Sequence, residues 1–67
     1  MLYKGFDIEV IEEEGNFKAV IRRPDGRSVR MAAPLGPEVP GITTELYPSA
    51  DAAATQAKKS IDANAIL

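Results

Sequence analysis

Apolar and polar residues alternate over Leu2–Glu12, LYKGFDIEVIE. Leu2, Phe6, Ile8 and Val10 share one side, and Tyr3, Asp7, Glu9 and Ile11 the other. Period two is the signature of a half-buried strand, and only Lys4 interrupts the apolar side. A polar link, Glu12–Asn16, follows, with Gly15-Asn16 suited to positive φ. Phe17–Arg23 alternates again, with Phe17, Ala19 and Ile21 inward. Pro24-Asp25-Gly26 is a turn: Pro presets φ, Asp bonds its own backbone, and Gly takes the left-handed position. Arg27–Ala33 predicts a third strand with Val29, Met31 and Ala33 inward.

Residues 34–41, PLGPEVPG, break the pattern, because prolines and glycines at this density exclude regular structure. Ile42–Tyr47 reads as extended, with membership of the sheet as a fourth strand left open. The period then changes to 3.6. Ser49 is an N-cap, Asp51 opposes the helix dipole, and Ala50–Ala63 contains neither Gly nor Pro. Ala50, Ala53, Ala54, Ala57 and Ile61 form one face, with Ala65 at its edge. Ile66 and Leu67 trail past the helix end and could cover part of it.

A helix of this length is marginal alone and must lie on a surface. The sheet offers one in Phe6, Ile8, Val10, Phe17, Ala19, Ile21, Val29 and Met31. The expected fold is α+β: a single domain, residues 1–67, in two layers. A small antiparallel meander of three or four strands carries one C-terminal helix across one face. Large side chains sit on the sheet and small ones on the helix, so the layers approach closely.

Composition narrows the function. The 67 residues contain no Cys, His or Trp. That removes disulfides, thiolate chemistry, the usual general base and the commonest metal ligand. No cofactor is expected, and the absent residue types argue against an enzyme. No apolar run approaches the ~20 residues that cross a bilayer, and Met1–Val10 does not read as a signal peptide. The expected setting is cytoplasmic.

Candidate surfaces remain. Arg22, Arg23, Arg27 and Arg30 cluster around the second turn and could contact phosphate or an acidic partner. The net charge of −2 favours a solvated strand end instead. Glu12, Glu13 and Glu14 read as a solvated turn, without the spacing of a calcium loop. Tyr3, Ile11 and Val20 should stand on the sheet face away from the helix, the type of patch that marks association. Leu35 and Val39 lie in the stiff proline loop, which loses little entropy on docking. The resulting expectation is a non-catalytic protein-interaction module, a monomer or weak homodimer with an unknown protein partner. Nucleic-acid binding through the arginine hairpin is the alternative.

The opening strand, then GNFKAVIRRPDGR, then YPSADAAATQAKKSID resemble a class of small bacterial single-domain proteins of unknown function. An aromatic-x-Ala-x-aliphatic strand and a late Ala-rich helix ending near Ile-Asp recur there. The resemblance implies a β-β-β-(β)-α arrangement. A weaker resemblance links Gly15, Phe17, Ala19 and Ala50–Ala54 to the N-terminal domain of HicB-type antitoxins. This chain lacks the Pro-Gly-Cys segment that follows the second strand there, so no functional residues carry over.

Overall fold

A computed structural model describes all residues, 1–67. Four strands form one antiparallel sheet in the order β1 (Leu2–Tyr3), β2 (Phe6–Glu13), β3 (Asn16–Arg22) and β4 (Ile42–Thr43). Helix α1, Ala50–Asp62, lies across β2 and β3. The architecture is the expected two-layer α+β fold.

Both hairpins close with two-residue loops. Tyr3 pairs with Phe6 across Lys4-Gly5, and Glu13 pairs with Asn16 across Glu14-Gly15. Lys4 and Glu14 have φ of 49° and 52°, and Gly5 and Gly15 of 86° and 85°. Positive φ at both central residues matches the right-handed twist of the strands. The predicted continuous strand Leu2–Glu12 is thus two strands, and the positive-φ pair is Glu14-Gly15 and not Gly15-Asn16. The first hairpin also resets parity. Paired residues share a face, so Tyr3 joins Phe6 on the helix side and Leu2 turns outward with Asp7.

The third strand is the larger correction. The Pro24-Asp25-Gly26 turn forms, with the Gly26 N–H donating to Arg23 O at 3.1 Å. The chain does not then return along β3. Residues 42–43 take that place, Ile21 against Ile42 and Val20 against Thr43. The pairing resumes at Phe17 and Tyr47, whose backbones exchange two 2.7 Å hydrogen bonds. An extra residue on the 42–47 side is absorbed at Thr44. Its N–H donates to Ala19 O at 2.8 Å, and its hydroxyl accepts from the Ala19 N–H at 2.9 Å. A side chain stands in for a ladder carbonyl at this bulge.

Segment 27–33 is extended but pairs elsewhere. Val29 exchanges backbone hydrogen bonds with Val39 at 2.8 and 2.9 Å. Ala32 bridges Leu35 around a cis Ala33–Pro34 peptide. On its other side the C-terminal segment runs alongside. Arg30 and Leu67 exchange hydrogen bonds, Met31 bridges Ile66, and the Ala32 N–H reaches Ala65 O at 2.8 Å. Ile66, past the helix end, is consequently buried in the core.

The helix end makes this return possible. Asn64 adopts φ 56°, its N–H donates to Ile61 O, and the Ala65 N–H donates to Ser60 O. These are the paired bonds of a Schellman stop, which turns the chain sharply back. At the other end the Ser49 hydroxyl accepts from the Ala52 N–H at 3.1 Å, the expected cap.

The core contains Phe6, Ile8, Ala19, Ile21, Val29, Ala53, Ala57, Ile61 and Ile66. Ala19, Ala53 and Ala57 are fully buried, so small side chains stand on the buried face of the helix and on β3. Ala50 is exposed and Ala54 half-buried, leaving a narrower helix face than the sequence pattern suggested. Met31, expected inward, is 41% exposed, because its segment pairs at the periphery and not in the sheet centre.

Candidate functional site

The outer sheet face is built by the β2–β3 register. Asp7 pairs with Arg22, Glu9 with Val20, Ile11 with Lys18 and Glu13 with Asn16. Long cations reach diagonally to carboxylates here. Arg22 Nη1 lies 2.8 Å from Glu9 Oε1, and Lys18 Nζ 3.0 Å from Glu13 Oε1. Exposed pairs of this kind stabilise little, about 0–1 kcal/mol. Their effect is to keep the face polar and wet.

The expected apolar patch does not assemble. Tyr3 stands on the opposite face, for the parity reason given above. Ile11 does occupy the outer face but is half-buried between charged neighbours. Val20, expected to be exposed, is buried, with only 7% of its surface accessible. Gly41 and the Arg22 stem close over it: a Cβ at Gly41 would stand 3.1 Å from Arg22 Cγ and 3.2 Å from Val20 Cγ1. In the proline loop Leu35 is exposed at the turn, whereas Val39 is half-buried against the core.

The four arginines do not converge. Arg22 is held by Glu9, and Arg27 by Asp25 at 2.7 Å. Arg30 Nε donates to Gly36 O at 2.9 Å. The Arg23 guanidinium lies over the Phe6 ring, 4.9 Å from its centroid, and covers an edge of the core. Each cation is spent on a different local partner.

A polar cluster that sequence reading missed joins the first hairpin to the end of α1. The Tyr3 hydroxyl lies 2.9 Å from both Asp62 oxygens, and Lys4 Nζ donates to Oδ1 at 2.6 Å. Lys58 Nζ sits 5.5 Å from the Tyr3 ring centroid. The bonds from Lys4 and Tyr3 hold the Asp62 carboxyl below its ordinary value. The bond to Asp62 raises both the Tyr3 phenol and the Lys4 amine. The available signal was Lys4 on the apolar side of an alternating strand, followed by Gly: a break in period beside a turn-former.

The open edge of β2 is the remaining feature. Ile8 exchanges backbone bonds with Met1, its N–H donating at 2.8 Å and its carbonyl accepting from the terminal amine at 3.0 Å. Antiparallel residues alternate in direction, so Val10 and Glu12 aim their N–H and C=O groups the same way as Ile8. β1 and Met1 reach only as far as Ile8, and no strand of this structure lies beside Val10 and Glu12. Glu12 and Glu14 flank this edge, and neither holds an ion pair.

The surface opens into no pocket, and no three acidic side chains gather as a metal-binding group. No helix is long and apolar enough to cross a membrane. Compared with family models, curated proteins and solved structures, the chain matches none.

Proposed function

We propose that the protein is a non-catalytic interaction module that accepts an extended, basic segment of a partner as an added strand on β2. The observation that carries this reading is the open edge at Val10 and Glu12, a row of backbone donors and acceptors without a neighbour. Such edges are where peptides add to sheets. The unpaired Glu12 and Glu14 set the sign of the partner. A second copy fits badly: antiparallel pairing about Ile11 would place Glu9 opposite Glu13, and facing like charges are destabilising. The module is therefore expected to be monomeric. The bacterial, cytoplasmic setting and the resemblance to the HicB N-terminal domain rest on the sequence alone and add nothing to this reading. The scattered arginines give no comparable support to nucleic-acid binding.

Magnitudes set the expected affinity. Each net hydrogen bond contributes about 0.5–1.5 kcal/mol. Association costs about 4–15 kcal/mol. The four backbone groups of Val10 and Glu12 alone leave little surplus, so binding is weak and transient, and it weakens with salt.

The test is amide chemical-shift titration with an alternating Lys/Val peptide, beside its Glu/Val counterpart. Saturable shifts centred on residues 9–13 with the basic peptide alone support the reading. Glu12→Pro should abolish them while leaving the spectrum folded, because it removes an outward N–H from an edge and no ladder bond. Equal response to both peptides, or a dimer in sedimentation, overturns it.

A further inference from the structure

Asp25-Gly26 is the only place in the chain where Asp or Asn precedes Gly. An aspartyl side chain before glycine can cyclise. The Gly26 nitrogen attacks Asp25 Cγ, the N–Cγ bond forms, and the carboxyl oxygen leaves as water with the amide proton and the acid proton. Water then reopens the succinimide at either carbonyl, giving aspartate or isoaspartate. The first step needs an unhindered nitrogen, a carboxyl free to rotate toward it, and the protonated acid as leaving group.

The structure leaves open space beside Gly26 but engages both reacting groups. Nothing lies within 4 Å of where a Gly26 Cβ would stand, and the turn is exposed. The carboxylate, however, is held at both oxygens by one residue. The Arg27 N–H donates to Oδ1 at 3.1 Å and Arg27 Nε to Oδ2 at 2.7 Å. The Gly26 N–H is engaged with Arg23 O at 3.1 Å.

We propose that Asp25-Gly26 is this protein's site of spontaneous isoaspartate formation, and that Arg27 restrains the reaction by holding the Asp25 carboxylate at both oxygens, so that it cannot turn freely for attack by the Gly26 nitrogen. The backbone and side-chain bonds from Arg27 also hold the carboxyl ionised to lower pH, which deprives the reaction of its leaving group. Isoaspartate would insert a methylene into the main chain four residues before the buried Val29.

The experiment ages the folded protein in mildly acidic buffer and measures isoaspartate by peptide mapping and enzymatic methyl transfer. Native protein should accumulate it slowly at position 25, Arg27→Gln several-fold faster, and Asp25→Glu not at all. In urea, native and Arg27→Gln chains should converge on one faster rate, which separates the folded clamp from a neighbour effect of sequence. Equal rates for the two folded proteins overturn the proposal. So does a native rate unchanged by urea, or equal isomerisation at Asp7, Asp51 or Asp62.

Discussion

Tyr3 and Asp62 stand 59 positions apart in the chain, and the Tyr3 hydroxyl lies 2.9 Å from both carboxylate oxygens of Asp62. With Lys4 they form a polar tie between the first hairpin and the helix end. Its pH dependence has two limbs. The Asp62 pKa is depressed in the fold, so its stabilisation is present above the unfolded value of about 3.9 and is lost as pH falls through the folded value. The Tyr3 and Lys4 pKa values are raised. Their stabilisation is present below the unfolded values of about 10 and lost as pH rises through the folded ones. Asp62→Asn should flatten both limbs of a melting-temperature profile against pH. The acid limb should not vanish, because Asp25 is also depressed. An unchanged profile would remove the tie from the account of stability.

The small buried face of the helix predicts an asymmetry along α1. Ala53 has no exposed surface, whereas Ala54 is half-buried. Ala53→Leu should cost about 1–3 kcal/mol by overpacking. Ala54→Leu should stay within about 0.5 kcal/mol. Urea denaturation midpoints compare the two directly.

Much of this packing was legible in the sequence, and the exceptions have one origin. Alternation identified Phe6, Ile8, Ala19, Ile21 and Val29 as inward, and the 3.6 period identified Ala53, Ala57 and Ile61. Alternation says that a segment is extended; it does not say which neighbour it takes. Segments 27–33 and 42–47 both read as extended, and the place beside β3 went to the second. Parity is equally local: a two-residue turn at Lys4-Gly5 moved Tyr3 to the helix side and Leu2 away from it. The candidate surfaces suffered most, because an exposed patch depends on what covers it. Nothing near Val20 in sequence announces that Gly41 will close over it. The arginines, neighbours along the chain, were separated by the partners each found nearby.

Thr44 fills a gap in the ladder with its hydroxyl, the acceptor for the Ala19 N–H. Thr44→Val keeps the shape and leaves that N–H without a partner, at a cost of about 1–3 kcal/mol. Thr44→Ser should recover most of it. Hydrogen exchange at the Ala19 amide gives the local reading: fast in the Val variant, protected in the Ser variant.

Asn64 carries the positive φ that ends the helix. A β-branched residue resists that conformation, so Asn64→Val should destabilise by about 1–2 kcal/mol, whereas Asn64→Gly should be neutral or better. If the stop also aims the C-terminal segment, the Val variant should lose amide protection at Ala32 and Leu67 before the rest of the fold.

The pairing of residues 65–67 with 30–32 also orders events during synthesis. Both hairpins of the first 22 residues are local and can form soon after they emerge. The core is incomplete until Ile66 has been made, since that side chain is part of it and its segment supplies partners to residues 30–32. A ribosome-bound chain that stops short of residue 66 therefore holds an unsatisfied strand and an open core, the condition that exposes nascent chains to chaperones and to aggregation.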